Sequence, residues 1–423
     1  MPRASRIWHG RGELAERRSG VGRAMTQRQP VPRLRDYRGP AILSYGFRPF
    51  FLLGAVYAGL AILVWLPVFM GELTLRSAFI PRDWHVHEML YGYLPTVITG
   101  FLFTAIPSWT GRLPVQGRPL LVLVIVWLAG RFAVTCSAEI GWLAAMLVDA
   151  SFLALIAAAT GREVFAGRNW RNLKVVALVV LLLAGNVGFH LEAHVSGVAD
   201  YGIRVGIVVV VVFIMLIGGR IIPSFTRNWL VRENPGRLPS PFGKPDIAIV
   251  LVSAAALLAW IVRQDGPLVG ILLGGAGILN VVRLGRWAGD RTWGERLVLI
   301  LHVGYAFIPA GFLLASAAAF DFVPASAAVH AWMAGGAGVM TLAVMTRASL
   351  GHTGQPLAAA WPTQAIYLAA IVAALARIAA VMMPGWSDTL LHLAALAWVM
   401  AFFGFTLVYG PLLIKPRASA HRD

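Results

Sequence analysis

The chain is poor in cysteine, in charge and above all in acid. Of its 423 residues one is cysteine, Cys136. A single thiol excludes an internal disulfide, a CxxCH haem attachment and any centre built on several thiolates. A metal held by this chain must therefore draw on histidine, methionine, carboxylate or carbonyl ligands. Charged residues make up 13% of the chain, against about a quarter in ordinary soluble domains. Lys and Arg outnumber Asp and Glu by 36 to 19. Taken as totals these would suit a nucleic-acid binder. Their distribution argues against one, because the basic residues fall at the ends of apolar runs, the pattern of membrane topology.

What is abundant is apolar. Hydrophobic residues reach 58%, and the mean hydropathy is +0.72. Runs of roughly 18–25 apolar residues mark transmembrane helices. About twelve are present, over residues 48–70, 87–107, 118–136, 142–160, 174–194, 203–222, 246–263, 267–284, 296–316, 327–346, 362–382 and 390–414. They are too long and too evenly apolar for barrel strands. The expected fold is an all-α polytopic membrane helix bundle. Residues 41–415 form one twelve-helix domain, and 416–423 form a short cytoplasmic tail. No convincing internal repeat relates its two halves.

Residues 1–40 read as an Arg-rich, disordered cytoplasmic tail with ten arginines and no apolar core for a signal peptide. Met25 offers an alternative start. Placing the N-terminus inside assigns 30 of the 36 Lys and Arg to inner stretches. Five fall outside (Arg76, Arg82, Arg131, Arg204 and Arg263), and Arg377 lies within a span. That asymmetry predicts both termini in the cytoplasm.

With the spans set, each histidine acquires a depth. His85 and His87 stand at the outer mouth of the second span, His190 and His194 at the outer end of the fifth, and His330 and His392 at the outer starts of the tenth and twelfth. His302 lies about 9 Å from the inner surface at 1.5 Å per residue, and His352 is in an inner loop. His9 and His421 belong to the tails. His190 and His194 are one turn apart on one helical face, a chelating spacing. His85 and His87 are two apart and face roughly opposite ways, or one precedes the helix. Neutral imidazole suits copper, zinc and haem iron. A lone interfacial histidine such as His392 is more simply a polar group near headgroups. Asp149 and Arg377 lie at comparable depth and are expected to pair. Arg220 and Arg347, at inner helix ends, would each hold a haem propionate or serve as a snorkelling anchor.

The stretches "YGFRPFFLLGAVYAGLAILVW", "WHVHEMLYGY", "GFLFTAIPSWTGR", "WLAGR", "GGRIIPSFTRN", "ILHVGYAFIPAG" and "VHAWMAGGAGVMTLAVMTRASLGHTG" together resemble the NnrS family. The resemblance runs from about Tyr45 to Thr353, its general pattern continues to the C-terminus, and the Arg-rich tail lies outside it. It implies a bacterial inner-membrane protein with non-covalent b-type haem and copper, linked to nitric oxide metabolism, denitrification and nitrosative stress. It carries over His85, His87, His190, His302, His330 and His352 as candidate ligands. His194 and His392 are added from spacing and depth. A weaker likeness to haem–copper oxidases and membrane nitric oxide reductases rests on histidines at outer helix ends. The chain lacks their adjacent histidine pair and any dinuclear copper entry, so a full electron-transfer enzyme would need quinol or a partner protein as donor.

Three readings follow. The first is a metal centre that binds nitric oxide arriving through the bilayer, kept dry by residues such as Phe101, Phe103 and Phe189. The second is a reductase of nitric oxide or oxygen, in which Glu88 and Glu192 carry protons or orient ligands. The third is a twelve-span secondary transporter.

Overall fold

The computed structural model describes residues 37–417. His9, Met25, His421 and nearly all of the Arg-rich tail lie outside the described residues. Among those residues there is no strand, and twelve helices are long and apolar enough to cross a membrane. They are α1 (Phe47–Phe69), α2 (Pro81–Thr110), α3 (Arg118–Thr135), α4 (Trp142–Ala166), α5 (Trp170–Ser196) and α6 (Asp200–Glu233), followed by α7 (Lys244–Val262), α8 (Pro267–Arg291), α9 (Arg296–Ala319), α10 (Ala325–Thr353), α11 (Trp361–Met382) and α12 (Pro384–Ile414). Every expected span has its helix, and the protein is a multi-pass membrane protein. In lipid only such elements satisfy their own backbone groups.

The helices fall into three consecutive groups of four, which explains why a comparison of halves finds no repeat. Ile106-Pro107-Ser108-Trp109-Thr110 in α2 recurs as Ile222-Pro223-Ser224-Phe225-Thr226 in α6. The helices α3, α7 and α11 each open on a proline, at Pro119, Pro245 and Pro362, where a missing N–H costs nothing. Gly141-Trp142 and Gly266-Pro267 introduce α4 and α8, and Gly385-Trp386 lies in the opening turn of α12. Packing follows the same rule. The groups join through α4 on α5 and α8 on α9, and the ring closes through α12 on α1. The second helix of each group lies inside. α6 packs against both α2 and α10, and Tyr93 of α2 meets Thr341 of α10 hydroxyl to hydroxyl at 2.7 Å.

Three hollows result, each between one inner helix and the three helices that follow it in the ring. The hollow of α6 is filled by ion pairing. Fully buried Arg283 donates to Asp246 Oδ1 at 2.9 Å and to the Tyr305 hydroxyl at 2.8 Å, and Asn280 and Ser253 extend the chain of bonds. The other two hollows hold the candidate site.

Pro81 in the first turn opens α2 six residues ahead of the expected apolar run, with Ile80 extended before it. Both His85 and His87 are therefore inside the helix. Directly after His87 the helix widens to π geometry over Glu88–Tyr93, and directly after His330 α10 does the same over Ala331–Val339. Such bulges concentrate at functional sites.

Candidate metal centre and cofactor cavity

Two residues of separation on a helix turn a side chain by about 200°. His85 and His87 accordingly leave α2 in opposite directions and enter different hollows.

His87 faces α3, α4 and α5. It is fully buried, as is Glu88 beside it, and His190 and Asp149 are 1% and 2% exposed. Nε2 of His87 and Nε2 of His190 each lie 3.2 Å from Asp149 Oδ2. A tetrahedral ion with bonds of about 2.0 Å separates its ligand atoms by about 3.3 Å; both His–Asp pairs have that spacing, and the three donor atoms lie within 4.8 Å of one another. His87 Nδ1 is 3.0 Å from Glu88 Oε1. That carboxylate holds the imidazole with its N–H on Nδ1, as the outer partner of a metal-bound histidine does. Phe79, Phe189 and Tyr91 pack their rings around the two histidines at 5.1–5.5 Å, which keeps water out.

The charges do not balance without a further cation. Arg131 of α3 donates to both oxygens of Glu88 at 2.8 Å and also pairs with Asp149. Tyr57 of α1 donates to Glu88 as well. Two carboxylates against one guanidinium leave one negative charge while both imidazoles are neutral. Asn186 Nδ2 donates to Asp149 Oδ2 at 2.7 Å, which turns its Oδ1 onto His87 Nε2 at 2.9 Å. Nε2 of His87 thus faces two oxygens with its own lone pair. A proton or a metal ion at that point satisfies all of them.

The structure corrects two expectations here. Asp149 pairs with Arg131, not with Arg377, because α3 and α4 are adjacent while α11 lies in another group. Arg131 is 5% exposed inside α3, so it is no outer-loop residue. Of the phenylalanines expected to dry the site, Phe189 does so. Phe101 packs on Trp109 and Phe103 lies beside Gly46.

His85 enters the third hollow, a cavity of about 590 Å³ between α1, α2, α6, α10, α11 and α12. Its ring stacks on Trp65 at 4.2 Å, and its Nδ1 is buried without a partner. His330 lines the same cavity. Its Nδ1–H donates to the Ser326 carbonyl at 2.6 Å, which leaves the lone pair on Nε2. Arg377 also reaches the cavity and has no hydrogen-bond or carboxylate partner among the described residues. Arg82 and Arg204 stand at its rim beside Asp200. The remaining wall is mostly apolar, with Met89, Met333, Trp260 and Trp398 among its residues and Gln264 and Ser326 as polar exceptions.

The other candidates lie elsewhere. His194 is exposed and stacks on Trp142 at 4.1 Å. Asn186, one turn to the other side of His190, takes the place in the site that the spacing had offered to His194. Glu192 accepts from the backbone N–H groups of Tyr201 and Gly202 at 2.9 and 2.8 Å, capping the first turn of α6. His392 is exposed and bonds the Asp388 carbonyl. His302 bonds Thr226 at 2.9 Å near the start of α9. His352 packs between Tyr45 and Phe47, Arg347 lies over Phe225 and Arg220 over Phe242. His352 is 22 residues beyond His330 on α10, roughly 30 Å at 1.5 Å per residue. It cannot share a group with His330.

The sequence profile of the NnrS family, described as NnrS protein, matches residues 41–417. The chain belongs to the NnrS family. The match spans all twelve helices and both hollows that carry histidines. No curated protein and no solved structure matches the chain.

Proposed function

We propose that this NnrS-family chain is a haem- and copper-binding inner-membrane protein of nitric oxide metabolism or nitrosative-stress resistance. The observation that carries the reading is that one turn of α2 serves two centres, His85 in the cavity and His87 in the buried cluster.

His87, His190 and Asp149 are the copper ligands in this reading. Their nitrogen and oxygen donors, their spacing and the missing positive charge all favour an ion there. Glu88 and Arg131 fix the ligands, and Asn186 holds Asp149 in place. The cavity suits b-type haem: about 590 Å³ lies within the ~300–1,000 Å³ of cofactor sites, two histidines reach it, and Arg377 offers a cation to a propionate. With Cys136 alone, attachment is non-covalent. A bound metal supplies an open coordination position for nitric oxide, an apolar molecule that reaches such a site through lipid.

Orientation follows the same reading. With buried Arg131 removed from the outer count and buried Arg48 and Arg283 from the inner, the Lys and Arg split becomes 28 inside to 4 outside, which favours N- and C-termini in the cytoplasm. The domain is residues 41–415, with tails at 1–40 and 416–423. The test is the detergent-purified protein, assayed for haem and copper and titrated with nitric oxide. The expected result is a Soret band, bound copper and a spectral change with nitric oxide that His190→Ala abolishes. A colourless, metal-free protein after expression with haem and copper supplied refutes the reading.

A further inference from the structure

We infer that His85 and His330 both ligate the group in the cavity, so that its iron is six-coordinate and closed to gaseous ligands. This rests on the haem reading above and deepens it: nitric oxide is then met at the His87–Asp149–His190 cluster and not at the haem.

The two histidines are prepared for ligation in different ways. His330 donates Nδ1–H to the carbonyl one turn back, Ser326 O, at 2.6 Å. That bond fixes the tautomer and aims the Nε2 lone pair away from the helix backbone. His85 has no such bond. Its Nδ1 is buried and unpartnered, an expensive state for a polar atom unless the imidazole gains something elsewhere. Stacking on Trp65 at 4.2 Å with planes 27° apart fixes its ring. Both residues line the one cavity, and the helices that carry them are bridged by the Tyr93–Thr341 bond at 2.7 Å. α10 widens to π geometry directly after His330, and α2 does so three residues after His85. Among the other residues lining the cavity, Met89 and Met333 offer weaker thioether ligands. Tyr93 already uses its hydroxyl, and Asp200 is held by Arg82 at 3.0 Å. Two imidazoles on one iron leave no position free.

The experiment uses the purified haem-loaded protein, with absorption and electron paramagnetic resonance spectra of the oxidised form and carbon monoxide added to the reduced form. Carbon monoxide binds ferrous haem only at a vacant or weakly held position. The expected wild type is low-spin and unmoved by carbon monoxide. His85→Gly and His330→Gly each become high-spin or carbon monoxide-binding, and added imidazole restores the wild-type spectrum. His194→Ala, at an exposed position, leaves it unchanged. Should a glycine variant fail to fold, the glutamine variants at the same positions are read the same way. A wild-type haem that binds carbon monoxide overturns the inference while leaving haem binding intact. So does a low-spin spectrum that survives both substitutions, which would assign a methionine. A protein without a Soret band overturns the haem reading itself, and this inference with it.

Discussion

Asp149→Asn isolates the charge at the buried cluster, since asparagine keeps the volume and shape of the side chain. Asp149 is 2% exposed and touches four groups: Arg131, Asn186 at 2.7 Å, and Nε2 of His87 and His190, both at 3.2 Å. Breaking a buried ion pair by removing one partner costs about 3–5 kcal/mol. Arg131 keeps both contacts to Glu88 at 2.8 Å, which places the loss at the lower end, about 3 kcal/mol. The net charge of the Glu88–Arg131–Asp149 trio rises from −1 to 0, and the attraction for a cation goes with it. Metal affinity is a separate quantity: losing only an outer partner of a metal ligand costs about 10–100-fold, so losing a ligand carboxylate together with its charge weakens copper binding by about 100-fold or more. Equilibrium dialysis followed by elemental analysis reads the affinity, and a thermal melt in detergent reads the stability. Copper affinity within twofold of wild type in a folded Asp149→Asn protein would sink the assignment of this cluster as the ion site. Lower stability with unchanged copper would leave a purely structural ion network.

Glu88→Gln removes the carboxylate that orients His87, so copper binding falls about 10–100-fold without vanishing, and the same dialysis measures it. On the proposed ligand assignment, lowering the pH from 8 to 5 releases bound copper, because the proton and the metal compete for Nε2 of His87. Metal content that rises on acidification contradicts the assignment. Gly202→Ala puts a Cβ 2.6 Å from Phe189 Cα and 2.9 Å from its amide nitrogen. Backbone cannot yield as a side chain does, so α5 and α6 separate at a cost of about 1–3 kcal/mol. A lowered melting temperature and weaker copper binding follow, since His190 is the next residue. An unchanged melt excludes that packing.

The number of helices and their approximate limits were legible in the sequence because lipid demands long apolar segments. The opposed directions of His85 and His87 were legible as well, since helical pitch fixes them. What could not be read was which helix each face meets. Arg131 looked like one more basic residue near a span end, and Asn186 looked like one polar residue in an apolar run. Both act only because α3 and α5 are rotated towards α2. Hydropathy carries no information on rotation when a helix is apolar on every side. The i, i+4 rule pointed to the correct helix face, but the partner of His190 stands one turn before it, not one turn after. The recurrence of Ile106–Thr110 as Ile222–Thr226 was visible in the sequence, but the third group carries no third copy of it, so the grouping by four emerges only from the packing.

That pattern has a consequence for how such a molecule changes over time. A scaffold with a hollow beside each of three inner helices exposes each hollow to its own substitutions, because largely different helices line it. Here one chamber is stoppered by Arg283 clasped between Asp246 and Tyr305, one is knotted around histidines and acids, and one is a cavity lined by His85, His330 and Arg377. The difference between the plug, the proposed ion site and the proposed cofactor cavity comes down to a few side chains. The stoppered chamber is therefore the natural place to engineer a new site into this fold.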